Sequence, residues 1–256
     1  MLNQNLCRRV FALFMCLNPL FTFAGTMGSL NKDVLSYLPI LLEKGHATVQ
    51  LGGYWGYQGK EQHININGLI GDTLTVTRHT NSNGLVGIGY FIDGVQRDKY
   101  QMLWGLNTFY LAKTAVEGQV IQEDLFTNLA YDYRVQHFPL YAMAKTLIKT
   151  MYPEHTVVLD VGVGPNFMKT SGFSERSLDG ITLPDHIFSG KSRTTFSATA
   201  SAAVRSTRVL GSAPVEFGYR FFYLGEGTFN KLSNQVVNTL KAGNAYGNSL
   251  FCSIII

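Results

Sequence analysis

The sequence predicts an all-β protein, an antiparallel transmembrane β-barrel of about ten strands. Charged residues make up 15% of the chain, whereas typical soluble domains carry about 25%. From residue 46 onward, apolar and polar side chains alternate with a period of two. The alternating segments run for about nine to fifteen residues, close to the roughly 9–11 that a tilted membrane strand needs and longer than the five or six of soluble strands.

The N-terminus has the pattern of a secretory signal peptide. Arg8 and Arg9 precede a short apolar run at residues 10–17, and Thr22-Phe23-Ala24 places small residues at the specificity positions of a cleavage site. We therefore expect cleavage after Ala24, which makes residues 1–24 a signal peptide. The alternative is an uncleaved signal anchor, although the apolar run is shorter than the about 20 residues of a membrane helix.

Residues 25–45 separate the signal from the first alternating segment. Their leucines, Leu35, Leu38, Leu41 and Leu42, fit one short helical face. This predicts an N-terminal periplasmic segment or a plug, with a plain linker as the alternative. Residues 46–256 are assigned to the barrel.

Charge and cysteine content exclude two other classes of protein. Removal of Arg8 and Arg9 lowers the net charge from +4 to +2, with 19 basic and 17 acidic side chains left. No basic run remains, so the sequence predicts no nucleic-acid partner. Cys252 is the single cysteine after residue 24. An intramolecular disulfide is then impossible, which argues against a small disulfide-stapled secreted domain.

The alternation and the turn residues between segments define ten predicted strands, and an even number is expected for this class of barrel. If residues 62–77 belong to an outer loop and one other pair of segments merges, the count becomes eight. The predicted strands are 46–59, 62–77, 84–93, 98–112, 117–135, 139–149, 155–169, 193–208, 213–225 and 248–256.

Turn and loop signals separate these strands. Turns are predicted at 82–84, 93–94, 137–139 and 211–214, where Gly, Pro, Asn and Asp cluster. Two long polar stretches, 170–192 and 225–247, read as loops. Outer-membrane barrels have short periplasmic turns and longer extracellular loops, so both loops are placed outside the cell.

Two segments near the end of the chain resemble a known family. Phe217-Gly218-Tyr219-Arg220-Phe221-Phe222-Tyr223-Leu224-Gly225 resembles the penultimate strand of the opacity-protein and OmpA-like small outer-membrane barrels, and Asn244–Leu250 with the apolar residues after it resembles their closing strand. The resemblance implies a Gram-negative surface antigen in the cell outer membrane. Its implied partners are outer-membrane lipid and the outer-membrane assembly machinery, although the chain ends in Ile254-Ile255-Ile256 where the family often has an aromatic residue.

Charged residues on the small or polar faces of the predicted strands are expected to line the lumen. Their mixed signs predict a paired network, because an unpaired buried charge is costly and a barrel of about eight strands is just wide enough to be filled by side chains. The alternative is a selectivity ring in a pore. The residues are Asp132, Arg134, Lys145, Asp160, Arg205, Glu216 and Arg220.

Aromatic residues on the opposite faces are expected to point outward, where they can form girdles at the membrane interfaces. Ordinary strand propensity is the alternative explanation. The residues are Trp55, Tyr57, Tyr90, Tyr100, Trp104, Tyr131, Tyr133, Tyr219 and Tyr223, with Tyr110 in the same pattern.

One cluster in the 170–192 loop indicates chemistry. Asp185-His186, with Ser189 nearby, is a combination that can activate water or a hydroxyl group by general-base catalysis. A plain polar loop is the alternative, and it is preferred because adjacent residues rarely share a face. The six histidines show no ligand spacing, so no metal site and no cofactor are predicted.

Three functions remain open at this stage. The preferred one is a structural or interaction role, in which extracellular loops bind a host or envelope ligand. The second is a narrow porin-like channel for small solutes, suggested by the inward charges. The third is an enzyme at the outer rim that acts on lipid or peptide; the preferred interpretation is that the protein is not an enzyme.

Overall fold

The structure is a computed structural model that describes residues 45–210 and 213–256. The predicted signal peptide and the segment before Gly45 lie outside these residues, as does half of the turn predicted at 211–214, so they stay predictions. Within the described residues, no helix is long and apolar enough to cross a membrane.

The described residues form twelve β-strands, eight of them long. The strands are β1 (Gly45–Tyr57), β2 (Gln62–Ile64), β3 (Asp72–Arg78), β4 (Thr80–Gln96), β5 (Tyr100–Gln122), β6 (Phe126–Lys149), β7 (His155–Ser177), β8 (Phe188–Ser189), β9 (Ser192–Leu210), β10 (Ala213–Thr228), β11 (Asn230–Lys231) and β12 (Lys241–Ile255).

The long strands close into an antiparallel ring in the order β1-β4-β5-β6-β7-β9-β10-β12, with β12 paired back to β1. The hairpin β2–β3 joins the sheet by pairing with the end of β5, which brings the sheet to ten strands. The predicted antiparallel barrel is confirmed. Eight strands form the ring, because residues 62–77 form the separate hairpin β2–β3 and the three predicted strands 98–112, 117–135 and 139–149 form only two, β5 and β6.

The register fixes the tilt of the strands. Starting at Trp55 of β1, the row of facing residues passes through every strand of the ring and returns to β1 at Gly45, ten residues from its start. A shear of this size in eight strands tilts them by about 40° from the barrel axis. The resulting lumen is narrow enough for side chains to fill.

Several predicted turns are wrong in position. Residues 117–135 do not form one strand, because Glu123 and Asp124 adopt positive φ angles of 51° and 55° and turn the chain between β5 and β6. The turn expected at 137–139 lies inside β6, where Asn166 of β7 accepts a hydrogen bond from the Phe138 amide at 3.2 Å and pairing continues past Pro139. The turns expected at 82–84 and 93–94 lie inside β4.

The two ends of the barrel differ in the length of their connections. The end that holds Gly45 and Ile255 also holds the short links 97–99 and 150–154, whereas the other end holds the long connections 58–79, 178–191 and 229–240 and the short turn 123–125. Long connections are typical of the extracellular side. We call residues 58–79, 114–136, 169–191 and 226–240 the extracellular extension, because they continue the barrel beyond its apolar outer surface.

Below the extension, the barrel has an apolar outer wall, which we call the apolar band. Its members include Leu51, Leu106, Leu159, Val161 and Phe217, each at least two-fifths exposed. A closed barrel leaves no unpaired strand edge, and an apolar wall of this kind is solvated by lipid tails. The chain is therefore an outer-membrane β-barrel that crosses the bilayer with its eight ring strands.

Candidate functional site

Five of the charged residues predicted in the lumen come together there as two ion-paired groups. In the first, Glu216 of β10 accepts hydrogen bonds from Lys145 of β6 at 3.1 Å and from Arg205 of β9 at 2.7 Å. In the second, Arg220 of β10 donates two hydrogen bonds to the carboxylate of Asp160 on β7, at 2.8 and 2.9 Å.

Aromatic rings contact two of the three cations in these groups, Arg220 and Lys145. The guanidinium carbon of Arg220 lies 5.0 Å from the ring centre of Phe109 and 5.1 Å from that of Phe251, and the ammonium of Lys145 lies 4.4 Å from that of Phe91. Cations over aromatic faces are stabilised by the ring quadrupole. The charges and rings together fill the middle of the lumen.

Side-chain packing at the level of Arg220 fills and blocks the lumen. The large rings there meet edge to face, with the centres of Phe109 and Phe222 5.2 Å apart and Tyr141 stacked on Phe222 at 6.3 Å. Arg220, Phe222 and Tyr141 are each at most 1% exposed. A narrow lumen filled in this way resembles a protein core more than a channel.

The remaining two predicted lumen charges lie on the outside, which corrects the prediction for this segment. Asp132 and Arg134 point away from the barrel axis on β6, whereas Tyr131 and Tyr133, predicted to face outward, point inward and are 2% and 1% exposed. The physical reason is that these residues belong to the extracellular extension. Water surrounds the outer wall there, so the apolar side chains pack inside.

The extension has an aromatic core of its own. Tyr133 meets Phe229 edge to face at 5.0 Å, Phe173 meets Phe188 edge to face at 5.3 Å, and Tyr131 stacks on both Tyr133 and Phe173. The members come from β6, β7 and the connections 178–191 and 229–240. Sequence reasoning missed Phe173, Phe188 and Phe229 because all three lie in stretches interpreted as loops.

A close approach between strands holds this core against the hairpin β2–β3. The hydroxyl of Tyr131 donates a 3.0 Å hydrogen bond to the carbonyl of Thr75 on β3. Gly118 of β5 makes room for the ring, since a Cβ there would lie 2.5 Å from Tyr131 and 2.0 Å from the Thr75 oxygen. The added hairpin is thus tied to the extension's core by a side chain as well as by backbone pairing.

One buried carboxyl lies beside the aromatic core. Burial raises the pKa of Glu175 on β7 from 4.5 to about 7, and the charges of Asp185 and Asp72 act in the same direction. The amide of Asp185 donates a 3.0 Å hydrogen bond to Glu175, which opposes the rise in pKa. Glu175 therefore titrates near neutral pH.

The other predicted outward aromatics lie on the outer wall of the barrel. Tyr57, Tyr246 and Tyr223 stand side by side across β1, β12 and β10, at the end of the apolar band next to the extension. Tyr90, Tyr100 and Trp104 lie toward the opposite end of the band. Trp55 lies two residues before Tyr57 on β1, and Tyr110 lies toward the extension on β5. Tyr219 lies nearer the middle of the band. Sequence reasoning missed Tyr246, and the girdle role of the whole set stays a prediction.

The Asp185–His186 cluster shows no catalytic geometry. Both side chains are exposed, and the hydrogen bond seen for Asp185 uses its backbone amide. Ser189 instead pairs through its backbone with Asn230, in the short sheet formed by β8 and β11. Within the described residues, no group of three or more His, Cys, Asp or Glu side chains is arranged to hold a metal ion. The hydrolase hypothesis stays an untested prediction.

Comparisons with solved structures found several outer-membrane proteins of low sequence identity. The chain is similar to the outer membrane protein OprG from Pseudomonas aeruginosa, with 13% identity, coverage of 83% of this chain and 96% of the other, and a TM-score of 0.45. It is also similar to Neisserial surface protein A (10% identity, 81% and 96% coverage, TM-score 0.37). The Escherichia coli outer membrane protease OmpT aligns with 10% identity, 82% and 94% coverage and a TM-score of 0.43.

No protein-family model and no curated protein matches the chain. The protein is a small outer-membrane β-barrel, and the strands that carry the sequence resemblance, β10 and β12, are adjacent and paired in the ring.

Proposed function

We propose that this protein is a surface interaction protein of the outer membrane that binds a host or envelope ligand through its extracellular extension. The observation that carries the proposal is the second aromatic core, formed by Tyr131, Tyr133, Phe173, Phe188 and Phe229. A barrel needs only short turns to cross a membrane. A packed structure above the membrane suits a binding surface, because a pre-ordered surface loses less conformational entropy on binding.

The lumen supports this choice over a channel. The paired charges Arg220–Asp160 and Lys145–Glu216 are at most 1% exposed on both partners. Conduction would require them to separate, and a buried charge that loses its partner is costly. A conducting lumen is therefore not the function that this geometry favours.

The proposal is tested with a variant that lacks most of the extension's longest hairpin. Thr114 and Val135 face each other across β5 and β6, so an Asn-Gly turn can replace residues 115–134 and close the shorter hairpin. We expect the variant to insert in membranes and to keep heat-modifiable migration on gels. Bacteria that display it should lose adhesion to epithelial cells and matrix proteins that bacteria with the full chain retain.

Planar-bilayer recordings on the purified full chain complete the test. We expect no conductance steps at any voltage. Discrete steps from the full chain, or a failure of the full chain to adhere to any surface better than the shortened variant does, would contradict the proposed function.

A further inference from the structure

The outermost end of the extension exposes a group of large apolar side chains, which we call the tip patch. Its members are Leu69, Ile70, Leu125, Phe126, Ile181 and Leu183, and their exposure ranges from 60% for Leu69 to 87% for Leu183. Single exposed apolar residues are common on soluble surfaces, but contiguous groups mark interaction sites. The six residues indicate an interaction site if they form one continuous surface.

Hydrogen bonds join the three connections that carry the tip patch. The amide of Ile70 donates to Glu123 of the β5–β6 turn at 2.9 Å, and the Glu123 amide donates back to Asp72 at 3.3 Å. On the other side of that turn, the side-chain amide of Asn128 donates to Thr182 at 2.8 Å. Leu69 and Ile70 thus lie next to the β5–β6 turn, and Ile181 and Leu183 lie next to β6.

The connection that holds Ile181 and Leu183 is ordered by its own hydrogen bonds. Asp179 accepts hydrogen bonds from the amides of Ile181 and Thr182 at 2.9 and 2.8 Å and from the Ser177 hydroxyl at 2.8 Å. These bonds hold the pKa of Asp179 well below its usual range. The two most exposed members of the patch are therefore presented from a fixed turn and not from an unstructured loop.

The charges around the tip patch are mostly negative, with His63 4.0 Å from Asp124 and the exposed Arg176 opposite Ala130 as the cationic exceptions. Segments 69–73, 122–130 and 177–185 contain five carboxylates and no Lys, Arg or His. The carboxylates belong to Asp72, Glu123, Asp124, Asp179 and Asp185. An apolar surface with an acidic rim favours a partner with basic residues around apolar ones, because complementary charge steers and orients association.

Other occupants fit this surface less well. Phe126 lies twelve residues along β6 from Phe138 at the edge of the apolar band, a strand length of roughly 40 Å, which keeps the patch away from the protein's own bilayer. An anionic membrane or glycan would meet the acidic rim with like charge. Two copies of the patch would bring the same carboxylates together.

We propose that the tip patch binds a basic polypeptide, through apolar side chains that cover Leu125, Phe126, Ile181 and Leu183 and through Lys or Arg side chains that meet the acidic rim. This inference rests on the proposed function and names the chemistry of the partner. The apolar contact supplies the central desolvated area of the interface, and the charges supply selectivity and rate of association.

The test selects ligands from a phage-displayed library of random 12-residue peptides, using the full chain in detergent micelles. We expect the selected peptides to be enriched in both Lys or Arg and Leu, Phe or Trp. Their affinity should fall at least tenfold for Ile181→Ser/Leu183→Ser. Asp124→Asn/Asp185→Asn should remove most of the loss of affinity seen between 50 and 500 mM salt, since salt screens exposed charges.

A matched control uses exposed apolar residues in another extracellular connection. Leu232 and Val237 are 60% and 52% exposed in the connection between β10 and β12, and Leu232→Ser/Val237→Ser should change affinity less than twofold. All variants must keep heat-modifiable migration; because every substituted side chain is exposed, none is expected to lose it.

Three results would overturn the inference. Peptides that need the extension but are neutral or acidic, or that bind the Ile181→Ser/Leu183→Ser variant unchanged, would contradict the inference and leave the proposed function standing. Peptides that bind equally to the variant lacking residues 115–134 would contradict both. Concentration-dependent self-association that Ile181→Ser/Leu183→Ser abolishes would assign the patch to a second copy of the chain.

Discussion

The apolar band and the extracellular extension are built from the same strands with opposite chemistry. On β6, Lys145 points inward within the band and Phe138 points outward; farther along the same strand, Tyr133 points inward and Arg134 points outward. The alternation of the strand is uninterrupted between these residues. The comparison teaches that the surrounding solvent, lipid below and water above, decides which face of a strand is apolar.

The same reversal occurs on β7. Its outward residues are apolar as far as Phe167 and polar or charged from Lys169, while its inward residues change from Asp160 to Phe173. Lipid favours an apolar outer wall and allows paired polar groups, packed among aromatic rings, on the inside. Water reverses both preferences, so the extension has an inner apolar core that resembles that of a soluble protein.

The largest difference between the two regions should appear when a charge is removed from each. Arg220→Ala leaves Asp160 buried without a partner, so the free energy of unfolding should fall by about 3–5 kcal/mol. Arg134→Ala, on the outer wall of the extension, should change it by less than about 0.5 kcal/mol. Urea unfolding in lipid vesicles measures both.

The pair Arg220→Met/Asp160→Leu is the control for this experiment. Removing both charges avoids the unpaired buried carboxylate, so the double variant should be more stable than Arg220→Ala. If Arg134→Ala lowered the free energy of unfolding as much as Arg220→Ala does, the proposed distinction between inner and outer charges would be contradicted.

A core substitution in the extension should act locally. Tyr133 is 1% exposed and contacts Phe229 and Tyr131, so Tyr133→Ala should destabilise the extension by about 3 kcal/mol. Limited proteolysis should then cleave within residues 114–136 while the membrane-embedded part stays protected. Tyr219→Ala, on the outer wall of the band, serves as the control and should leave the extension resistant to protease. Complete loss of the barrel in Tyr133→Ala would show that the two regions fold as one unit.

A new charge on the outer wall should be tolerated in one region and costly in the other. Val161 and Ser174 both point outward on β7, the first within the apolar band and the second in the extension. Val161→Arg should lower the free energy of unfolding in vesicles by about 2–4 kcal/mol, the cost of an arginine near the bilayer midplane. Ser174→Arg should have almost no effect. Equal effects at the two positions would contradict the boundary between band and extension.

The smallest expected effect is a pH dependence confined to the extension. The raised pKa of Glu175, about 7 against 4.5, means that the folded extension keeps a proton that the unfolded segment has already lost. Glu175 should therefore destabilise the extension least below pH 4.5 and progressively more as the pH rises through 7. Hydrogen exchange of residues 173–177 at pH 5 and pH 8 measures this change.

Glu175→Gln should flatten that pH profile and raise protection most at pH 8, because the amide carries no charge to desolvate. Exchange within the apolar band should stay the same in both proteins. A wild-type extension that became more stable from pH 5 to pH 8 would contradict the direction of the pKa shift.

Much of the fold could be predicted because each strand carries its own signal. The period-two alternation located β1, β7, β9 and β10 to within a few residues at the barrel end, and the charges on Lys145, Asp160, Glu216 and Arg220 were assigned to the inner face on which the structure places them. Strand pairing continues through Pro139 and through Ser82-Asn83-Gly84, where it overrides the local preference for a turn.

The extension could not be predicted in the same way. The alternation in a strand such as Leu129–Val135 shows that its two faces differ in polarity, but it does not show which face is exposed to solvent. The rule that apolar residues point outward holds only at membrane depth, so it assigned Tyr131, Tyr133, Asp132 and Arg134 to the wrong faces. The tip patch was missed because its residues come from three connections that lie far apart in the sequence.

The sequence by itself determined an antiparallel barrel whose strands have two different faces, because the alternation of apolar and polar side chains is a property of consecutive residues. The tertiary structure decided where the bilayer ends, which charges meet, and which loop residues share a surface. These depend on strand register and on the solvent around each level of the barrel. Glu216 pairs with Lys145 and Arg205, and Asn128 binds Thr182, only when the ring is closed.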